Sequence, residues 1–285
     1  MSRIVFGLMY LLHALPLSLQ AVLGDAAACV LYWIVGERRA VIRTNLARCF
    51  PEKSAAERER LARAHWRHFI RSFLDRGMLW WAPAPRLREL VRLEGLEHLP
   101  ADRPVVVFAP HFVGLDAALS RLSMERPLAT IYSRQKDERF DALITRGRTR
   151  FGGKVFPRHV GLRKALRATQ EGALLYYLPD LDYGPKGAVF VPFFGVPAAT
   201  VTGLSGIARA IGAAVVPCVT RMLPGGGYRA QLYPAWTDFP SGDDVADARR
   251  MLAFVEDRVR EMPEQYYWLH KRFKTRPEGE PRFYG

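Results

Sequence analysis

Cysteine is scarce in this chain. Only Cys29, Cys49 and Cys218 occur among 285 residues, far apart and in no Cys-x-x-Cys or Cys/His metal spacing, so neither a disulfide framework nor a zinc module is supported. Internal repeats and low-complexity linkers are missing as well, which excludes a collagen-like or repeat polymer and leaves no boundary inside the main body. Acidic residues are in deficit: 28 Asp and Glu stand against 42 Lys and Arg, a formal charge of +14 at neutral pH. Such a chain suits an anionic partner. What is present is ordinary for a folded protein, with 49% apolar, 25% charged and 12% aromatic residues in a length that builds one large core or two small ones.

Charge is absent from Ile4 to Leu23, twenty residues that as a helix just cross a bilayer core of about 30 Å. After Gly24-Asp25 a second apolar run continues from Ala26 to Gly36. His13, Pro16 and Gln20 weaken a simple span. A secretory signal fits Arg3 and the Ala26-Ala27-Ala28-Cys29 stretch, yet the apolar run resumes at Val30 instead of opening into polar chain. A buried helix pair is the other alternative. The favoured reading is a membrane anchor or monotopic segment over residues 1–36, with one domain over 37–285. Arg38, Arg39, Arg43 and Arg48 follow the apolar stretch against Arg3 before it, which places the main body on the cytoplasmic side.

Ser54-Ala55-Ala56-Glu57 has the spacing of a capping box, and Leu61, Trp66, Phe69, Ile70, Phe73 and Leu74 then recur at helical intervals to about Gly77. Arg63, Arg67 and Arg71 form a basic stripe on that helix, suited to solvent or to lipid headgroups. Beyond it, short apolar runs at Val105–Phe108, Leu174–Leu178 and Val215–Val219 read as buried strands. They alternate with amphipathic segments near 115–124, 138–149, 161–171, 202–211 and 245–262. This predicts an α/β fold with a parallel or mixed sheet. Pro217 inside the last run suggests an edge strand or a bulge.

Positive charge is concentrated between Ser133 and Arg167, with eleven Lys or Arg and three Asp or Glu. Arg146, Arg148 and Arg150 could track phosphates, but no recognisable nucleic-acid-binding signature accompanies them, and no nucleic-acid partner is expected.

The first candidate for chemistry follows a strand-like run: Ala109-Pro110-His111-Phe112-Val113-Gly114-Leu115-Asp116 leads from Phe108 into a helix. The carboxyl end of a strand is where open α/β sheets bind ligands. His111 and Asp116 would lie about 140° apart on a continuous helix. With His111 in the turn before the helix, Asp116 could reach back to the imidazole as the orienting carboxylate of a general base. A surface helix-cap pair is the other reading of these two residues. His13, His65, His68, His98 and His159 show no convergent acidic partner.

The H-x-x-x-x-D spacing is similar to the signature of glycerolipid-type acyltransferases. More specifically, the chain resembles the late acyltransferases of lipid A biosynthesis, the lauroyl/myristoyl family. The likeness lies in Arg43-Thr44-Asn45-Leu46, Cys49-Phe50-Pro51-Glu52, His111-Phe112 to Asp116, Thr145-Arg146-Gly147-Arg148, Pro179 to Pro185, and Pro263 to Pro277. Asp116 stands where better-known members carry Glu. The resemblance implies a glycerolipid-acyltransferase-like mixed sheet flanked by helices, with an N-terminal membrane-associated helix, at the cytoplasmic face of the inner membrane. It also implies acyl transfer from acyl carrier protein to a hydroxyl of a hydroxyacyl chain on a phosphorylated, anionic glycolipid, without metal or other cofactor. His111 would be the base and Asp116 its partner. Arg148 would bind acceptor phosphate or steady an oxyanion, and Asp180 would hold Arg148 or a substrate hydroxyl. The stretch from Tyr266 to Arg276 would sit among lipid headgroups or form a packed C-terminal turn. The alternative is an enzyme of the same fold acting on another glycolipid or a lysophospholipid.

Overall fold

A proline divides the long uncharged start. In a computed structural model that describes residues 3–158 and 161–284, the side chains of residues 3 and 4 excepted, this region forms α1 (Arg3–Leu12) and α2 (Leu17–Ile34), separated at Pro16. His159 lies outside the described residues. The helices α3 (Gly36–Cys49) and α4 (Ala55–Leu74) follow, and α2 packs along α4. The interruption therefore falls at Pro16 and not at Gly24-Asp25. Gly24 is buried in mid-helix against Arg71 of α4, where a larger residue would collide, and Asp25 lies 4.0 Å from the Arg71 guanidinium. A close crossing between two helices thus absorbs the glycine that looked like a break.

By length and composition α2 is the one helix among the described residues able to cross a membrane, and only 28% of it is buried. Val22, Val30, Trp33 and Ile34 stand exposed along it.

The capping box forms as spaced: the Ser54 backbone N–H donates to Glu57 Oε2 at 2.8 Å, and the Glu57 N–H donates to Ser54 Oγ at 3.3 Å. The helix stops at Leu74, short of Gly77. Asp75 joins it to α5 (Arg76–Trp81), its buried carboxylate accepting a 2.5 Å hydrogen bond from the Tyr228 hydroxyl. Burial pushes the Asp75 carboxyl up to about 6 against the opposing hydrogen bond from Tyr228.

After α6 (Ala84–Leu90) the α/β alternation begins. In order come β1 (Val91–Glu94), β2 (Val105–Phe108), α7 (Leu115–Leu122), β3 (Leu128–Tyr132), α8 (Glu138–Thr149) and β4 (Lys154–Pro157). Then follow α9 (Leu162–Gln170), β5 (Leu174–Tyr177), β6 (Ala188–Phe193), β7 (Val196–Val201), α10 (Gly203–Ile211), β8 (Ala214–Met222), β9 (Tyr228–Leu232) and α11 (Asp244–Glu261). Seven strands form one mixed sheet in the order β1-β9-β8-β2-β5-β3-β4, parallel at every pairing except β8 with β9. This is the mixed α/β sheet flanked by helices that the alternation predicts. Separately, β6 and β7 form a hairpin whose Phe194-Gly195 turn has φ of 51° and 76°, the paired positive values of a type I′ turn.

Helices cover both faces of the sheet, so its central strands read as unbroken apolar runs. Val106 and Phe108 point into a core shared with α3, α4, α9, α10 and α11, while Val105 and Val107 point into one shared with α5, α6 and α7. Pro217 lies in an interior strand, contrary to the edge or bulge it suggested. A residue's N and C=O point to the same side of a strand, and the Pro217 carbonyl accepts from Tyr233 on the β9 side. Pro217 stands opposite Tyr233 just before the paired part of the β8–β9 ladder, so its missing N–H forgoes only the reciprocal bond at the end of that ladder.

Gly147 on α8 faces the Trp80 indole of α5, and a Cβ there would drive into the ring. Gly147→Ala is expected to lower stability by about 1–3 kcal/mol through overpacking, read as a lower thermal midpoint with Gly206→Ala, where a Cβ meets open space, as the control.

Candidate active site

The parallel register of β2 and β5 pairs Phe108 with Tyr177. Three residues beyond each partner, in the loops leaving the carboxyl end of the sheet, stand His111 and Asp180. They meet: Asp180 Oδ2 accepts the His111 backbone N–H at 3.0 Å, and Oδ1 lies 2.7 Å from His111 Nδ1. A carboxylate only accepts, so in the neutral imidazole the proton sits on Nδ1 and Nε2 is the acceptor nitrogen. Asp180 is fully buried and takes a further hydrogen bond of 3.1 Å from the Tyr266 hydroxyl. Burial alone would raise its pKa, but the neighbouring imidazole and the bonds from His111 outweigh it and hold the carboxyl below the usual range. The chain after α11 secures the histidine from the other side: the Tyr267 N–H donates to the His111 carbonyl at 2.9 Å, and the Val113 N–H to the Gln265 carbonyl at 2.9 Å.

Asp116 is not bonded to His111. It is the second residue of α7, and its carboxylate is taken up by two guanidinium groups. Arg148, from the last turn of α8, donates to Oδ1 through Nε at 3.0 Å and Nη2 at 2.6 Å, and Arg76, the first residue of α5, donates to Oδ2 at 3.2 Å. The expected His111–Asp116 contact is thus replaced by His111–Asp180, and the expected Asp180–Arg148 contact by Asp116–Arg148. Desolvation disfavours the Asp116 anion, but Arg148 and Arg76 more than offset it and hold the carboxyl at about 2. Two cations on one anion leave net positive charge facing the cavity that all three residues line.

That cavity, about 760 Å³, opens over the carboxyl ends of β2, β5 and β3. His111, Asp116, Arg148, Arg76 and Ser133 line it toward α7 and α8, and mostly apolar side chains line it between α9 and α10, with Arg158 stacked 4.4 Å over the Tyr183 ring. His270 also lines it: its Nε2–H donates to the Asp182 carbonyl at 3.0 Å, and burial lowers its pKa to about 4, so the ring is neutral at physiological pH. Arg76, Tyr266, Tyr267 and His270 were not singled out for this site by sequence. Arg76 carried no signal of its own, whereas the other three lie in the Pro263–Pro277 block that carried the family likeness.

The family described as bacterial lipid A biosynthesis acyltransferase matches residues 2–275. The chain belongs to that family. It is accordingly an enzyme, an acyltransferase of lipid A biosynthesis. The lipid A biosynthesis lauroyltransferase of Escherichia coli is 34% identical over 284 residues, 98% of this chain and 92% of that protein. The palmitoleoyltransferase of the same organism is 32% identical over the same shares, and its myristoyltransferase 33% identical over 85% of this chain and 76% of its own. A solved 1-acyl-sn-glycerophosphate acyltransferase from Thermotoga maritima superposes with a TM-score of 0.40 at 17% identity, over 86% of this chain and 97% of that one.

The separated blocks of the acyltransferase converge in space. Asn45 donates 2.8 Å hydrogen bonds to the carbonyls of both Trp268 and His270. Asp182, fully buried, accepts from the Thr275 N–H at 2.7 Å, the Thr275 hydroxyl at 2.9 Å and the Gly184 N–H at 2.9 Å. Arg272, 1% exposed, donates to the Ala199 carbonyl and lies 5.2 Å over the Phe193 ring of the hairpin. The Tyr266–Arg276 stretch is therefore a packed turn that braces the site. Of the three arginines that could have tracked phosphates, Arg150 is turned inward onto the carbonyls of Leu79 and Ala82 at 2.8 and 2.6 Å.

Asp116 has a folded pKa near 2 against an ordinary 3.8. A depressed carboxyl contributes stability above its unfolded pKa that is lost as pH falls through the folded value, here roughly 2 kcal/mol between about pH 4 and 2. Asp116→Asn is expected to be less stable than wild type at neutral pH in urea unfolding, with the gap closing as pH drops toward 3.

Proposed function

We propose that this lipid A acyltransferase transfers a fatty acyl group from an acyl carrier protein thioester to the free hydroxyl of a hydroxyacyl chain on a phosphorylated glucosamine disaccharide lipid. The observation that carries this reading is the His111–Asp180 pair, which makes Nε2 the acceptor nitrogen of the neutral ring at a cavity with Arg148 and Arg76 on one side and mostly apolar side chains between α9 and α10 on the other.

His111 Nε2 takes the proton of the acceptor hydroxyl as its oxygen attacks the thioester carbonyl. Asp180 keeps the proton on Nδ1 and stabilises the imidazolium as it forms. Collapse of the tetrahedral intermediate breaks the carbon–sulfur bond, and the thiolate recovers the proton from His111, so that ester and free thiol leave and the enzyme is restored. Asp116 positions Arg148 and Arg76, whose spare N–H groups hold an acceptor phosphate. A formal charge of +14 draws in both an acidic carrier protein and an anionic lipid. Residues 1–36 attach the enzyme to the inner membrane from the cytoplasmic face, in keeping with the exposed apolar side chains of α2 and the arginines that follow it.

The test is acyl transfer from carrier-protein thioesters to a tetra-acylated lipid A precursor, read by mass spectrometry. Wild type should add one acyl mass, while His111→Ala and Asp180→Asn should each lose about 10²–10⁴ in kcat with the fold retained. Activity that survives Asp180→Asn but not Asp116→Asn would overturn Asp180 as the orienting group. Thioester hydrolysis without any addition to the precursor would remove this acceptor. Arg148→Lys should raise KM for the acceptor, whereas a loss confined to kcat would place Arg148 at the oxyanion instead.

A further inference from the structure

The apolar end of the cavity plays no part in the proton transfers just described. It runs from His111 across the sheet edge to the space between α9 and α10, which pack side by side. Leu162 and Leu166 of α9, one turn apart, form one wall, and Gly203, Gly206 and Ala210 of α10 form the other. The two glycines differ in what surrounds them. At Gly203 a Cβ would strike the Tyr177 hydroxyl, so that position is glycine because α10 approaches β5 closely. At Gly206 a Cβ would meet nothing within 4 Å, and the backbone is ordinary α-helix. Packing does not demand a glycine there, and an exposed or cavity-facing helix position is better served by almost any other residue. Its effect is to leave the groove open.

We propose that the α9–α10 groove receives the hydrocarbon tail of the acyl donor and that Gly206 sets how long a tail it accepts. The inference rests on the acyl-transfer reading above. The donor tail is favoured over a chain of the acceptor because the cationic end formed by Arg76, Asp116 and Arg148 draws the phosphorylated sugar to the α7–α8 side. The α9–α10 end, where the one lining cation, Arg158, is stacked on the Tyr183 ring, then remains for the group whose carbonyl must lie at His111. A larger side chain at 206 occupies the groove without disturbing the helix, and removal of bulk from the facing Leu166 widens it.

The experiment compares wild type, Gly206→Leu, Gly206→Ala and Leu166→Ala. For each variant, competition among decanoyl, lauroyl, myristoyl and palmitoyl carrier-protein thioesters is read by the mass added to the lipid A precursor. In parallel, the same acyl chains are measured for displacement of a fluorescent fatty acid from the groove. Gly206→Leu should shift the preference toward shorter chains by roughly tenfold or more between the extremes. Gly206→Ala should shift it less in the same direction with no fall in melting temperature, and Leu166→Ala should shift it toward longer chains. An unchanged chain-length ranking in folded Gly206→Leu and Leu166→Ala, by both readouts, overturns the assignment, as does a loss of acceptor binding with the donor ranking intact. If wild type transfers nothing to the precursor but the variants still reorder fatty-acid displacement, the groove assignment stands and the acceptor in the proposed function falls.

Discussion

The parallel pairing of β2 with β5 is the constraint on which the site depends. A parallel ladder sends both strands out of the same edge of the sheet, and the Phe108–Tyr177 register leaves their exit loops level with each other. His111 and Asp180, each three residues past its registered partner, then face one another without any long side chain having to reach. A slip of this ladder would separate the imidazole from the only carboxylate bonded to it among the described residues. The buried hydrogen bond in turn defines the tautomer, so the strand register determines which ring nitrogen can accept a proton.

The rest of the molecule holds that edge in place. Tyr266 completes the bonding of Asp180, Tyr267 pins the His111 carbonyl, and the same C-terminal stretch is tied by Asn45 to α3 and by Asp182 to the loop after β5. Residues more than two hundred positions apart thus form one brace around the histidine. Because these bonds are buried, each leaves an unsatisfied polar group if its partner is lost, which makes the brace far more demanding than its number of contacts suggests. On the other side of the cavity Asp116 holds two arginines, and their positions rest on Gly147, whose lack of a side chain lets α8 close against Trp80.

A division of labour follows from the two faces of the sheet. The loops at its carboxyl edge carry charge and hydrogen-bonding groups toward α5, α7 and α8, while the groove between α9 and α10 is lined mostly by apolar side chains. A substrate with a phosphorylated head and one with a long hydrocarbon tail can therefore approach His111 from opposite ends. Ala28 and Tyr32 of α2 enter one of the two cores, while its Val22, Val30, Trp33 and Ile34 form an exposed apolar surface outside both.

The element order was legible in the sequence because it rests on local chemistry. The capping box at Ser54, the apolar runs of β2, β5 and β8 and the amphipathic spacing of α7 to α11 all act over a few residues, and the structure reproduces them nearly in place. His111 was legible for the same reason, as a histidine just past a buried strand. Gly24 and Pro217 were not, since each depends on a neighbour distant in sequence: Arg71 of α4 packs against Gly24, and Tyr233 lies opposite Pro217. Least legible was the choice of carboxylate. Asp116 is close to His111 along the chain and Asp180 is 69 residues away, yet the nearer group is consumed by Arg148 and Arg76 while strand pairing delivers the farther one. Propensity, patterning and capping act locally and so mark the elements and the histidine along the chain. Its partner is chosen later, because sheet register and long-range charge pairing are set when the elements pack.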